Sequence, residues 1–154
     1  MENNKSYRKL AITLFLSYIL MYGIMFLNVN APDHIYINMT RAYMTLLMIS
    51  AMAVLMILRM PMMYANKKLN TAIIAGSIVV FVASLFGVHR QVGISDIQYM
   101  KGMIPHHSIA IMTSENAHIK DDRVRKLADG IIKTQVKEIA EMKGLIDSLQ
   151  RADH

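Results

Sequence analysis

The chain has 154 residues, 54% of them hydrophobic and 18% charged, with 15 Met, no Cys and a mean hydropathy of +0.31. That is too apolar for an ordinary soluble domain of this length, and the lack of Cys excludes disulfides and thiolate metal sites. The net charge of +6 is spread by position rather than gathered into a basic stripe with stacking aromatics, which excludes nucleic acid as a partner.

Three stretches carry no charge: Leu10 to Pro32, Ala42 to Leu58 and Leu69 to Val88, of 23, 17 and 20 residues. A helix rises about 1.5 Å per residue and the hydrocarbon core of a bilayer is about 30 Å thick, so each can span it. One such stretch could be a buried core helix, but three in succession leave no soluble core to bury them. A cleavable signal peptide competes for the first, since Lys5, Arg8 and Lys9 precede it and Val29-Asn30-Ala31 loosely resembles a cleavage site. Its apolar run is long for that. The sequence therefore predicts three transmembrane helices over residues 1–92 and a separate domain over 93–154.

Lys and Arg concentrate before the first span and in the second loop, at Arg59, Lys67 and Lys68, while the first loop has Arg41 alone. This places the N-terminus in the cytoplasm. The expectation is a multi-pass protein of the cell (inner) membrane whose residues 89–154 emerge in the periplasm or outside the cell.

Within the second span Met44, Met48, Met52, Met56 and Met60 recur every four residues, forming one slowly rotating stripe. Flexible packing against other helices accounts for it, and so does a thioether track for a soft monovalent metal. The third span has Ala72-x-x-x-Gly76 and Ala83-x-x-x-Gly87, which allow close helix approach. No Asp, Glu, Lys, Arg or His lies within any span, which argues against a proton-coupled transporter. His34 and His89 read as solvated, interfacial side chains.

Ser95 followed by Gln98, with Asp96 in the first turn, is a capping-box pattern. It predicts a helix running to about His118, kinked or split by Pro105. Asp121 and Asp122 supply a turn and cap for a second helix ending near Leu149. On that helix Val124, Ala128, Ile131, Gln135, Glu138, Met142, Leu145 and Leu149 follow heptad spacing. The matching stripe on the first is Met100, Met103, His107, Ala110, Ser114 and Ala117.

Folding the two helices back to back between Lys120 and Asp121 sets His107 opposite Thr134 to Gln135. Met103 falls opposite Glu138, and Met100 opposite Glu141 to Met142. Buried polar groups must be paired, and two accounts of this cluster stand. In one, Glu138 and Gln135 bond His107 and fix the helix register. In the other, Met and His ligate a metal while the carboxylate or amide orients the imidazole. His106 lies beside the seam, and Met112 points about 140° away from His107 on an ideal helix. His118 sits at a helix end, and His154 reads as solvated.

The run Met103-Ile104-Pro105-His106-His107-Ser108-Ile109-Ala110-Ile111-Met112, with Leu127-Ala128, Ile131-Ile132, Gln135, Glu138-Ile139 and Met142 after it, resembles the domain of unknown function family 305 over residues 95–147. The upstream spans, with His34-Ile35-Tyr36, Arg41 and Met63-Tyr64-Ala65-Asn66-Lys67, look like a membrane-anchored branch of that family. The resemblance implies a ferritin-like helical fold that handles copper or silver outside the cytoplasm. It points to Met103, His106, His107, Met112, Glu138 and Met142, with Gln135 at a family position of less clear role. Members with a complete bundle have two hairpins and this chain has one, so a homodimer or higher homo-oligomer is the implied completion.

Catalysis is not expected. Ferritin-like di-iron sites use Glu-x-x-His, which is absent, and no Ser-His-Asp arrangement or Gly-rich phosphate loop is visible. The predicted protein is all-α, with three transmembrane helices and an external helical hairpin that forms a ferritin-like half-bundle. It would bind Cu(I) or Ag(I) through Met and His for sequestration or delivery. The alternative is a structural or sensory membrane module whose polar seam only fixes register and oligomerisation.

Overall fold

A computed structural model describes residues 2–152, and His154 lies outside them. The described chain is helical throughout: α1 (Glu2–Ile24), a 3-10 turn (Pro32–His34), α2 (Met39–Arg59), α3 (Lys67–Arg90), α4 (Asp96–Asn116) and α5 (Asp122–Ala152). It divides into two compact units. One holds the chain up to Met25 together with Thr40–Gly93, and the other holds Phe26–Met39 together with the chain from Ile94 onward. The loop that the sequence assigns to the first region thus packs with the C-terminal helices, where its polar backbone and Tyr36 find partners.

In the first unit α2 and α3 are long and apolar enough to cross a membrane, yet only 28% and 11% of their most apolar windows are buried. Their large side chains point outward, with Leu58 61% and Val79 67% exposed. α1 ends at Ile24, so its charge-free helical part is Leu10–Ile24 and does not continue to Pro32 as the sequence suggests.

At one end of this unit Leu10, Ile57 and Tyr64 are buried together, with Tyr7, Leu14, Met56, Ile73 and Ile74 packed around them. The Tyr7 hydroxyl donates to Asn70 Oδ1 at 2.6 Å, and Asn70 Nδ2 donates to the Tyr64 carbonyl at 2.8 Å. Asn66 caps α3 by accepting from the Leu69 N–H at 3.1 Å. Near the C-terminus of α3, Tyr43 packs on Gly87, where a Cβ would come within 3.1 Å of the ring. Its hydroxyl donates to the Val92 carbonyl at 2.9 Å. The close approach foreseen for the third stretch is therefore realised at Gly87, whereas Gly76 faces open space.

In the second unit Ser95 caps α4, its Oγ accepting from the Gln98 N–H at 3.3 Å. α4 runs through Pro105 as one helix to Asn116. Proline removes a single backbone donor, which one continuous helix tolerates, so of the two expected effects, a kink or a split, the split does not occur. The shared core of α4 and α5 is Met100, Ile104, Ile111, Ile139 and Ile146, with Ile97, Ile132, Met142 and Tyr36 against it. Met100 and Met142 belong to the predicted stripes, and the isoleucines and Tyr36 lie outside them. The rotation follows from the 26–39 segment, which packs on α4 from another side, and from the bulky isoleucines turning into the shared core, where burial of apolar area is largest. Val124, Leu127, Ile131, Leu145 and Leu149 remain between 37% and 65% exposed.

Candidate metal centre

A cleft of about 720 Å³ opens in the second unit, lined by Met100, Met103 and His107 of α4 and by Glu138, Glu141 and Met142 of α5. Asp96, Tyr99, Leu145, Ser148 and Leu149 continue it. The His107 side chain is 13% exposed, and its Nδ1 lies 3.2 Å from Glu138 Oε2. That oxygen is off the line a hydrogen bond requires, so this buried nitrogen has a charge beside it and no hydrogen bond. Burial pushes the His107 imidazole below its usual range, against the pull of Glu138 in the other direction, and His106 adds to the depression. The ring is neutral near pH 7, which is the form that can ligate a metal.

Of the six candidate residues the cleft gathers Met103, His107, Glu138 and Met142, and it adds Met100 and Glu141. His106 is exposed, its ring 6.1 Å from that of His107, because neighbours on a helix point about 100° apart. Met112 is half-buried and does not line the cleft, in keeping with its place on another side of α4. Gln135 borders a shallower hollow with Lys126, Leu127 and Ile131. His107 meets Glu138, one turn past the expected Thr134 to Gln135. Helical side chains lean toward the N-terminus of their own helix, and His107 thereby reaches the next turn of α5.

Among the described residues no three His, Asp or Glu side chains converge as a metal-binding group. Hard cations and di-iron centres want oxygen-rich donor sets. Three thioethers, a neutral imidazole with an unpaired nitrogen and an adjacent carboxylate suit a soft monovalent metal instead.

One functional-looking row was missed by sequence reasoning. Ser108 is fully buried; its Oγ accepts from the Asn30 N–H at 2.6 Å and lies 2.9 Å from His34 Nδ1. The Lys143 ammonium donates to Asp33 Oδ2 at 2.5 Å. His34 is therefore held in place and is not solvated as expected. Burial lowers its pKa, Lys143 lowers it further, and Asp33 opposes them. Ser, His and Asp do stand in order here, but Ser108 is inaccessible and Asp33 Oδ1 is 3.9 Å from His34 Nε2. The row ties the loop to α4 and α5 and exposes no nucleophile. The available sequence signal was His34-Ile35-Tyr36, which carries part of the family resemblance.

Residues 93–154 match the family model described as Domain of unknown function (DUF305). An uncharacterized protein of Acanthamoeba polyphaga mimivirus is 34% identical over 120 residues, which cover 77% of each chain. That span exceeds the matched domain, so the likeness reaches into the apolar helices. No solved structure matches.

Proposed function

That this chain belongs to the DUF305 family is the premise from which we propose its function: it is a membrane-anchored protein that binds Cu(I) or Ag(I) outside the cytoplasm, for sequestration or delivery. The observation that carries this is the buried His107 Nδ1 without a hydrogen bond, in a cleft shared with the thioethers of Met100, Met103 and Met142. His107 presents a neutral ring. Met103 and Met142 offer sulfur that no proton competes for at any ordinary pH, and Glu138 balances added positive charge. The metal itself supplies one positive charge and a preference for sulfur. We assign the cleft binding and no catalytic step.

The anchor is read from surface as well as length. α2 and α3 are strongly apolar and largely unburied, and the large side chains they turn outward are apolar, as those of helices surrounded by lipid are. α1 supplies the third crossing. Its charge-free helical part is 15 residues, about 22 Å at about 1.5 Å per residue, and Arg8 and Lys9 complete the span by reaching back to the interface. The Lys and Arg distribution sets the N-terminus in the cytoplasm and the helical hairpin of α4 and α5, a ferritin-like half-bundle, on the opposite face.

Competition with a Cu(I) chelator tests the site. Wild type is expected to bind tightly, and the His106→Ala/His107→Ala double variant and Met103→Leu are expected to lose that binding. Affinity unchanged in both variants would move the metal to the Met stripe of α2 or to His34 and His89. No binding in wild type would favour a second reading, for which the 3.2 Å approach of His107 to Glu138 speaks: a polar lock that fixes how α4 sits on α5.

A further inference from the structure

The seam of α5 has a symmetry that its packing against α4 engages only near the middle, at Glu138 and Met142. Val124 and Leu149 stand at equal distances from a point between Val136 and Lys137, and so, within a residue, do Leu127 and Leu145. Nearer the centre Ile131 matches Met142, and Gln135 matches Glu138. Apolar positions thus correspond to apolar ones, and the two polar positions to each other. The seam runs about 37 Å at about 1.5 Å per residue, and its large apolar members at both ends are 37% to 65% exposed.

We infer that a second copy of this chain covers this seam, with its α5 antiparallel to the first and the two-fold axis passing near residues 136 and 137. A parallel pairing would set Glu138 against Glu138, like charges in an interface that excludes water. The antiparallel pairing sets the Gln135 carboxamide against the Glu138 carboxylate twice, with the amide N–H donating each time. Polar seam residues select orientation and register in this way by penalising the alternative. The antiparallel arrangement sets Lys126, at the border of the hollow, level with residues 147 and 148 of the second copy, at the end of the cleft that Asp96 borders. It also closes the open side of the cleft, so that Glu138, whose side chain is 44% exposed in one chain, gains a donor. The inference goes beyond metal binding and requires no metal.

Because the chain has no cysteine, single introduced thiols report the geometry. Full-length Val124→Cys and Leu149→Cys variants are purified in detergent with chelator present, mixed, allowed to exchange and oxidised. The expected product is a mixed disulfide between the two variants, with little cross-linking when each is oxidised alone. Disulfides within each variant alone would indicate a parallel dimer and overturn the proposal, as would no cross-link in any sample. As a second arm, Gln135→Glu is expected to weaken the dimer at least tenfold by detergent-corrected mass or sedimentation, and adding Glu138→Gln in the same chain to restore it. A dimer indifferent to Gln135→Glu would overturn the register. Failure of either arm leaves the chelator competition unaffected, so the two proposals fall separately.

Discussion

α3 and α5 are both long helices that leave much of their surface outside the packing of their own unit, and they differ in what that surface is made of. Between Ala72 and Val88 of α3 the exposed side chains are apolar, Val79 and Phe86 among them. On α5 they are charged, apart from one line that buries Ala128, Ile139 and Ile146 and a neighbouring line that does not. A surface apolar in every direction calls for an apolar medium, whereas a narrow apolar line between charged flanks calls for a specific partner. That difference in surface is why we propose lipid around α3 and a second copy of the chain against α5.

The largest effect that sharpens this contrast comes from paired truncations. Ile104 is completely buried in the second unit, and Ile104→Ala is expected to cost about 2–5 kcal/mol, the transfer term plus the cavity. Val79→Ala, on the outward face of α3, is expected to stay within about 0.5 kcal/mol in detergent. Unfolding followed by circular dichroism measures both. A large loss at Val79 would mean that α3 packs on protein there.

Next in size is the tie between the 26–39 segment and α4. Ser108→Ala leaves the Asn30 N–H without its acceptor and deprives His34 of its partner. A cost of about 1–3 kcal/mol is expected for the orphaned buried groups. Ser108→Thr, which keeps the hydroxyl but adds a methyl group at a fully buried position, should also destabilise. If Ser108→Ala proves neutral, the segment is not held through this residue.

How far the site could be read in advance depended on which physics wrote each part. The cap at Ser95 and the helices it opens are local, and the sequence carries local information in full. Met103, His107, Glu138 and Met142 met because helix periodicity fixes which residues share a level and a face. What periodicity could not give was rotation about the helix axis. Ile104 and Ile111, not His107 and Ala110, occupy the centre of the core, because the 26–39 segment covers a second side of α4. The docking of that segment rests on contacts such as Asn30 with Ser108, 78 residues apart. No composition or spacing rule anticipates a pairing of that kind. His106 and Met112 came from resemblance, and they sit where a single helix cannot turn them toward the cleft.

Within the apolar unit the two glycines of α3 give a smaller, signed contrast. Gly76→Ala meets nothing within 4 Å and should gain up to about 1 kcal/mol from helix propensity. At Gly87 the new methyl group would stand 3.1 Å from the Tyr43 ring. Gly87→Ala should therefore lose that gain or turn it into a net cost of about 1 kcal/mol. Thermal unfolding in one detergent compares them, and an equal gain at both sites would mean that Tyr43 moves aside freely.

The smallest effect tests the electrostatics of the second unit. His107 and His34 both lie below the ordinary imidazole value of 6.5, chiefly through burial. Above that value neither the folded nor the unfolded chain holds a proton on them, so they give stability no slope with pH. As pH falls below it the unfolded chain protonates first, and stability must decline until the depressed folded values are reached. Asp33, held low by Lys143, acts only below its ordinary 3.8 and leaves this window untouched. The melting temperature is therefore expected to drop between about pH 7 and about pH 5. His107→Gln and His34→Gln should each flatten part of the drop. A profile that rises toward acid would mean that the Glu138 carboxylate outweighs burial at His107, and the cleft would then hold an imidazolium paired with Glu138, a poor ligand for any cation.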